Sequence, residues 1–75
     1  MSVRPAVTGK DAIRALRSLG FRIDRIEGSH HIMVKAGHPL SVPVPVHGNK
    51  VLPTGTLASI VRMAGLTKDQ FFQAL

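Results

Sequence analysis

The residues of this chain best suited to chemistry are two adjacent imidazoles directly behind a glycine turn, Gly28-Ser29-His30-His31. Glycine at such a turn permits a positive φ and close approach by another backbone or a phosphate. One imidazole near neutral pH both accepts and donates a proton. Neighbouring strand residues point to opposite faces, so His30 and His31 do not act on the same atom, and one of them is structural. Parity does not choose between them. His30 aligns with Ile32 and Val34, His31 with Met33 and Lys35, and neither set is plainly the polar one. A plainer reading, two ordinary half-buried strand histidines, stands beside the catalytic one. The segment Val44-Pro45-Val46-His47-Gly48-Asn49-Lys50 supplies a third histidine next to a flexible turn and a cation. His47 there is a second proton-transfer group, a phosphate contact, or a polar residue ending a strand. His38, between Gly37 and Pro39, reads as a solvated hairpin residue. Zinc needs three or four convergent ligands, and the chain offers no cysteine, no histidines at helical i, i+4 spacing and few carboxylates; no metal and no cofactor are expected.

The surroundings of these imidazoles are cationic. Ten Lys plus Arg oppose four Asp plus Glu in 75 residues, a net charge of +6 that points to a polyanionic partner. Residues 1–50 carry most of the excess, and Arg14, Arg17, Arg22, Arg25 and Lys35 are placed to track phosphates or simply to be solvated. An imidazole on a cationic surface suits a phosphodiester whose own 2′-hydroxyl is the nucleophile, which means RNA and not DNA. Three Phe are the only aromatics, which argues against an OB-fold or RRM-like reader built on base stacking. The apolar fraction of 44% argues for a folded domain over a basic tail. Without cysteine there is no disulfide, and a reducing compartment is compatible. No stretch approaches the roughly 20 apolar residues that span a bilayer, and Met1 to Val7 lacks the pattern of a signal peptide. A cytoplasmic location without membrane contact is expected.

Elements to position the imidazoles follow from period and punctuation. Thr8 and Asp11 form a capping-box pattern before a helix over about Lys10 to Leu19, whose stripe is Ala12, Ile13, Ala15, Leu16 and Leu19 and whose stop is Gly20. Phe21 to Glu27, His30 to Ala36 and Leu40 to His47 read as three strands of an antiparallel meander. Pro43 and Pro45 place the third strand at an edge, or force it to pair irregularly. Leu57, Ile60, Val61 and Ala64 define a second helix, capped by Thr54 and stopped at Gly65. Thr67 and Gln70 form a second capping box, with Leu66 and Phe71 at the staple positions of a short third helix. The expected fold is a small α+β domain of order α-β-β-β-α-α, with helices on one face of the sheet and the other face free. Residues 1–7 read as a tail and 8–75 as a single domain.

Five stretches of the sequence resemble the HicA/YcfA family of small bacterial toxins. They are Leu19-Gly20-Phe21, Gly28-Ser29-His30-His31, Val44-Pro45-Val46-His47-Gly48-Asn49-Lys50, Gly55-Thr56-Leu57 with Ile60, and Ala64-Gly65-Leu66. They follow the family's order and approximate spacing over Lys10 to Phe72. The resemblance implies a fold similar to the double-stranded-RNA-binding domain and the activity of an mRNA interferase held in check by a HicB-type antitoxin. It also implies that the first histidine after Gly-Ser is catalytic, which here is His30. Gly28 matches the close-approach residue and His47 the histidine of the family's Pro-x-His segment. The sequence departs from the family pattern at Glu27, where a basic residue is usual, and at Val51-Leu52-Pro53-Thr54, which replaces a charge-rich run.

The resulting expectation is a metal-independent endoribonuclease with His30 as its catalytic residue and Gly28, Ser29, Arg25, Lys35, His47 and Lys50 as RNA-binding or supporting residues. Its partners are RNA and an antitoxin. The alternative is a non-catalytic RNA-binding module with the same fold, and a third possibility is an interaction subunit that an acidic protein covers.

Overall fold

A computed structural model describes residues 6–75; residues 1–5, the greater part of the expected tail, lie outside them. The elements run α1 (Gly9–Ser18), β1 (Arg22–Glu27), β2 (His30–Val34), β3 (Val42–Pro45), α2 (Thr54–Met63) and α3 (Lys68–Gln73). Both capping boxes form as their spacing predicts. The Thr8 hydroxyl accepts from the Asp11 N–H at 3.1 Å while the Asp11 carboxylate accepts from the Thr8 N–H at 3.0 Å. Thr67 and Gln70 repeat the pattern at α3. At α2 the expectation is corrected: Pro53, not Thr54, occupies the N-cap, and no side chain caps the helix. Proline's fixed φ suits the entry to a helix, and the cap position needs no N–H of its own.

The three strands form one antiparallel sheet of order β1-β2-β3, so the proline-bearing β3 is an edge strand, where a missing N–H leaves no ladder bond unmade. The strands are shorter than the sequence pattern suggests. Leu40, expected in the third, precedes it and is exposed. Met33 pairs with Val42 and His31 with Val44 on one face, while Ile32 pairs with Pro43 and His30 with Pro45 on the other. Asp24 is an extra residue between Ile23, opposite Met33, and Arg25, opposite Ile32. This bulge resets the alternation of β1 and puts Arg25 and Glu27 on the face of His30.

Met33, Val42 and Val44 have no exposed surface and join Ala12, Ala15, Leu16, Ile60, Val61, Ala64 and Phe71 in one core. The helices therefore cover a single face of the sheet, and the other face remains open. Two contacts fix how α1 sits on it. A Cβ at Gly9 would collide with the carbonyl oxygen of Pro45, so only glycine lets the first turn of α1 rest on the end of β3. Val7, expected in the tail, belongs to the core; its carbonyl accepts from the Leu52 N–H at 2.7 Å, and Thr8 bridges to Val51. The uncharged run that departs from the family pattern thus closes the domain beside the start of α1.

Candidate nucleic-acid-cleaving site

Antiparallel pairing brings most of the expected site residues to one end of the sheet. Glu27 opposes His30 across β1 and β2, and Pro45 opposes His30 across β2 and β3. The Gly28-Ser29 turn and the exit of β3 therefore lie side by side. Gly28 has φ +59° and a Cβ there would meet nothing within 4 Å, so the turn needs glycine for its backbone and stays open to a ligand. The Ser29 carbonyl accepts from the Val46 N–H at 2.7 Å, which ties the turn to the segment leading to His47. A further turn, closed by Lys50 N–H on the His47 carbonyl at 3.0 Å, carries both of those side chains exposed. Gly28, Ser29, His30, His47 and Lys50 thus share one end of the sheet.

The two adjacent imidazoles have opposite environments. His30 lies on the open face, exposed, with no hydrogen-bond partner for its ring among the described residues. His31 lies on the helix-covered face, half-buried, and its Nδ1 is buried without a partner. His30 is free to take up a proton-transfer role, whereas His31 fills space beneath the helices.

Lys35 and Arg25 stand apart from that cluster. Lys35 follows the far end of β2, roughly 16 Å along the strand from His30, with its ammonium 5.7 Å from the centre of the Phe21 ring. Arg25 is on the open face, but its Nε donates to Glu27 at 2.6 Å and its Nη1 to Asp24 at 2.8 Å. The bond to Glu27, then that to Asp24, raises the Arg25 pKa above its ordinary value. Arg22 adds a looser pair with Asp24 at 3.9 Å. The two acids of β1 therefore engage both of its arginines. Among the described residues Lys10, Arg17, Lys35, Lys50, Arg62 and Lys68 make no ion pair, and Lys50 is the one carried by the turn beside His30.

His38 is not the solvated hairpin residue its neighbours suggest. It is half-buried, its Nε2 donates to the Met63 carbonyl at 2.7 Å, and its ring meets Phe21 edge to face at 5.5 Å. A carbonyl only accepts, so Nε2 carries the proton. The imidazole thus satisfies an orphan carbonyl at the C-terminus of α2 and ties the β2–β3 loop to it. Gly65, at φ +71°, is needed twice: it takes the left-handed conformation that ends α2, and a Cβ there would stand 3.1 Å from the His38 ring.

Sequence reasoning passed over one feature of the site. Pro43, Pro45 and His30 form one wall of a groove whose other wall is the Thr56, Ser59 and Met63 side of α2. Its signal is the i, i+3, i+7 spacing on a helix read only for its core stripe. Among the described residues no three His, Asp or Glu side chains come together to hold a metal ion, and no helix is long and apolar enough to cross a membrane.

Three antiparallel strands between helices that cover one face make a small α+β fold consistent with that of the double-stranded-RNA-binding domain. The chain matches the family described as the HicA toxin of bacterial toxin-antitoxin systems over residues 9–66, and it belongs to that family. It is accordingly the toxin of a toxin–antitoxin pair and has an antitoxin as partner. No curated protein matches the chain closely enough to be named as a relative.

Proposed function

We propose that the protein is an mRNA interferase that cleaves RNA at His30 without a metal ion. The observation that carries this reading is an exposed, unpartnered imidazole beside an open glycine turn, in a member of a toxin family. His30 takes the proton from a ribose 2′-hydroxyl, the 2′-oxygen attacks the adjacent phosphorus, and the bond from phosphorus to the 5′-oxygen breaks. The products are a 2′,3′-cyclic phosphate and a 5′-hydroxyl, the leaving oxygen taking up a proton from the imidazolium or from His47. Lys50 and the N–H groups of the Gly28-Ser29 turn offset charge on the phosphoryl oxygens in this reading. Gly28 keeps the turn low enough for the strand to approach. Arg25 and Lys35, one engaged by two acids and the other at the far end of β2, contribute to the general attraction of RNA. The activity belongs in the cytoplasm with its substrate, and a HicB-type antitoxin would silence it there.

The test is incubation of a synthetic RNA with the purified protein in EDTA, with analysis of the product ends. Cyclic-phosphate and 5′-hydroxyl ends, lost in His30→Ala, are expected. Salt-sensitive binding with no product at any pH would instead select the non-catalytic RNA-binding module, and activity that disappears in EDTA would select a metal-dependent mechanism.

A further inference from the structure

The groove beside His30 is open to solvent and offers about 310 Å³ between the β3 edge and α2. That is the low end of the size range of small-molecule sites, roughly 300–1,000 Å³, and enough for a single nucleoside. Its lining contains no Lys, Arg, Asp or Glu, so away from His30 it carries no charge to favour a phosphate over an uncharged group. Pro43, Pro45 and Met63 instead offer apolar surface, with a polarizable thioether suited to the edge or face of an aromatic ring. Thr56 and Ser59 add two half-buried hydroxyls, and among the described residues neither side chain has a hydrogen-bond partner. Ser18, on α1, shows the alternative, returning its hydroxyl to the Ala15 carbonyl at 2.8 Å. Each unused hydroxyl is both donor and acceptor, which suits it to the edge of any base.

From this arrangement we propose that the groove receives one unpaired nucleobase flanking the phosphate at His30, and that Thr56 and Ser59 set the base preference of cleavage. Phe21 and Phe71 are buried in the core, Phe72 packs against it, and the chain has no Trp or Tyr. A base bound next to His30 therefore has prolines and a methionine as its stacking surface. The proposal rests on His30 as the cleaving residue, and it adds a site for the uncharged part of the same substrate.

Two measurements test it. Mapping cleavage positions on a mixed-sequence RNA compares the wild type with Thr56→Val/Ser59→Ala; the base preference at the cut is expected to fall about fivefold per hydroxyl removed. Titration of the wild type with each of the four nucleoside 3′-monophosphates, followed by amide NMR, is expected to shift Thr56, Ser59 and Met63. Unchanged base preference in the double variant, with shifts confined to other residues, overturns the groove while leaving the role of His30 intact. Absence of cleavage by the wild type overturns the nuclease reading instead, and the titration then decides the groove alone. Shifts at these amides produced by the antitoxin but by no nucleotide make the groove a protein contact and overturn the proposal.

Discussion

The two faces of the sheet are made by alternate residues of the same short strands, yet they do different work. On the covered face Met33, Val42 and Val44 are fully buried beneath three helices. On the open face the same strands present Arg25, Glu27, His30, Pro43 and Pro45, none of them buried, around Ile32, the one buried side chain these strands turn to that face. The contrast is sharpest between neighbours: His30 is exposed, while one residue later His31 has a ring nitrogen buried with no partner. Removing surface from the covered face costs packing, whereas changing the open face alters what the protein meets. A domain of this size, with no disulfide to support it, keeps its exposed imidazole off the face that holds it together.

Substitutions on each face break or sharpen this division. The largest effect is expected from Phe71→Ala, which empties a fully buried site and should lower unfolding free energy in urea by about 3–5 kcal/mol, a large part of what a small domain has. Gly9→Ala crosses the division, because the new methyl collides with the Pro45 carbonyl opposite His30. It should cost roughly 1–3 kcal/mol and also lower cleavage by the protein that remains folded, read as activity per folded molecule.

Glu27→Gln lies wholly on the open face. It should leave the melting temperature unchanged while partly releasing Arg25, strengthening RNA binding and steepening the salt dependence of the binding constant by about 0.7 in log–log slope, measured by fluorescence anisotropy. The smallest effect comes from the α1 cap. The Thr8 backbone N–H, then the Thr8 side chain, hold the Asp11 carboxyl below its ordinary pKa. A depressed folded pKa means stability that is full above the unfolded value and is lost as pH falls through the folded one. Thermal unfolding between about pH 5 and pH 2 should therefore show a steeper acid loss in the wild type than in Asp11→Asn.

What the sequence made legible is what depends on near neighbours. Thr8 with Asp11 and Thr67 with Gln70 close their boxes within three residues, and two prolines in four residues restrict β3 to an edge. The remaining features depend on tertiary approach. The Asp24 bulge decides that Arg25 and Glu27 join the face of His30, and strict alternation does not foresee it. His38 finds its acceptor 25 residues away. Gly9 owes its identity to β3, and the groove exists only once α2 lies along that edge. Within the site, the clustering of His30 with the Gly28 turn and His47 was readable from a meander with short connections. The separation of Lys35 and the engagement of Arg25 required the register.

The division between the faces meets its most direct test at the two neighbouring histidines, by measuring RNA cleavage rate and thermal stability for His30→Ala and His31→Leu together. His30→Ala should keep its melting temperature and lose about 10²–10⁴-fold in rate. His31→Leu, which removes a buried nitrogen without a partner, should retain cleavage and be neutral or more stable by up to about 1 kcal/mol. Cleavage that survives in a folded His30→Ala protein and vanishes in a folded His31→Leu protein would contradict the account.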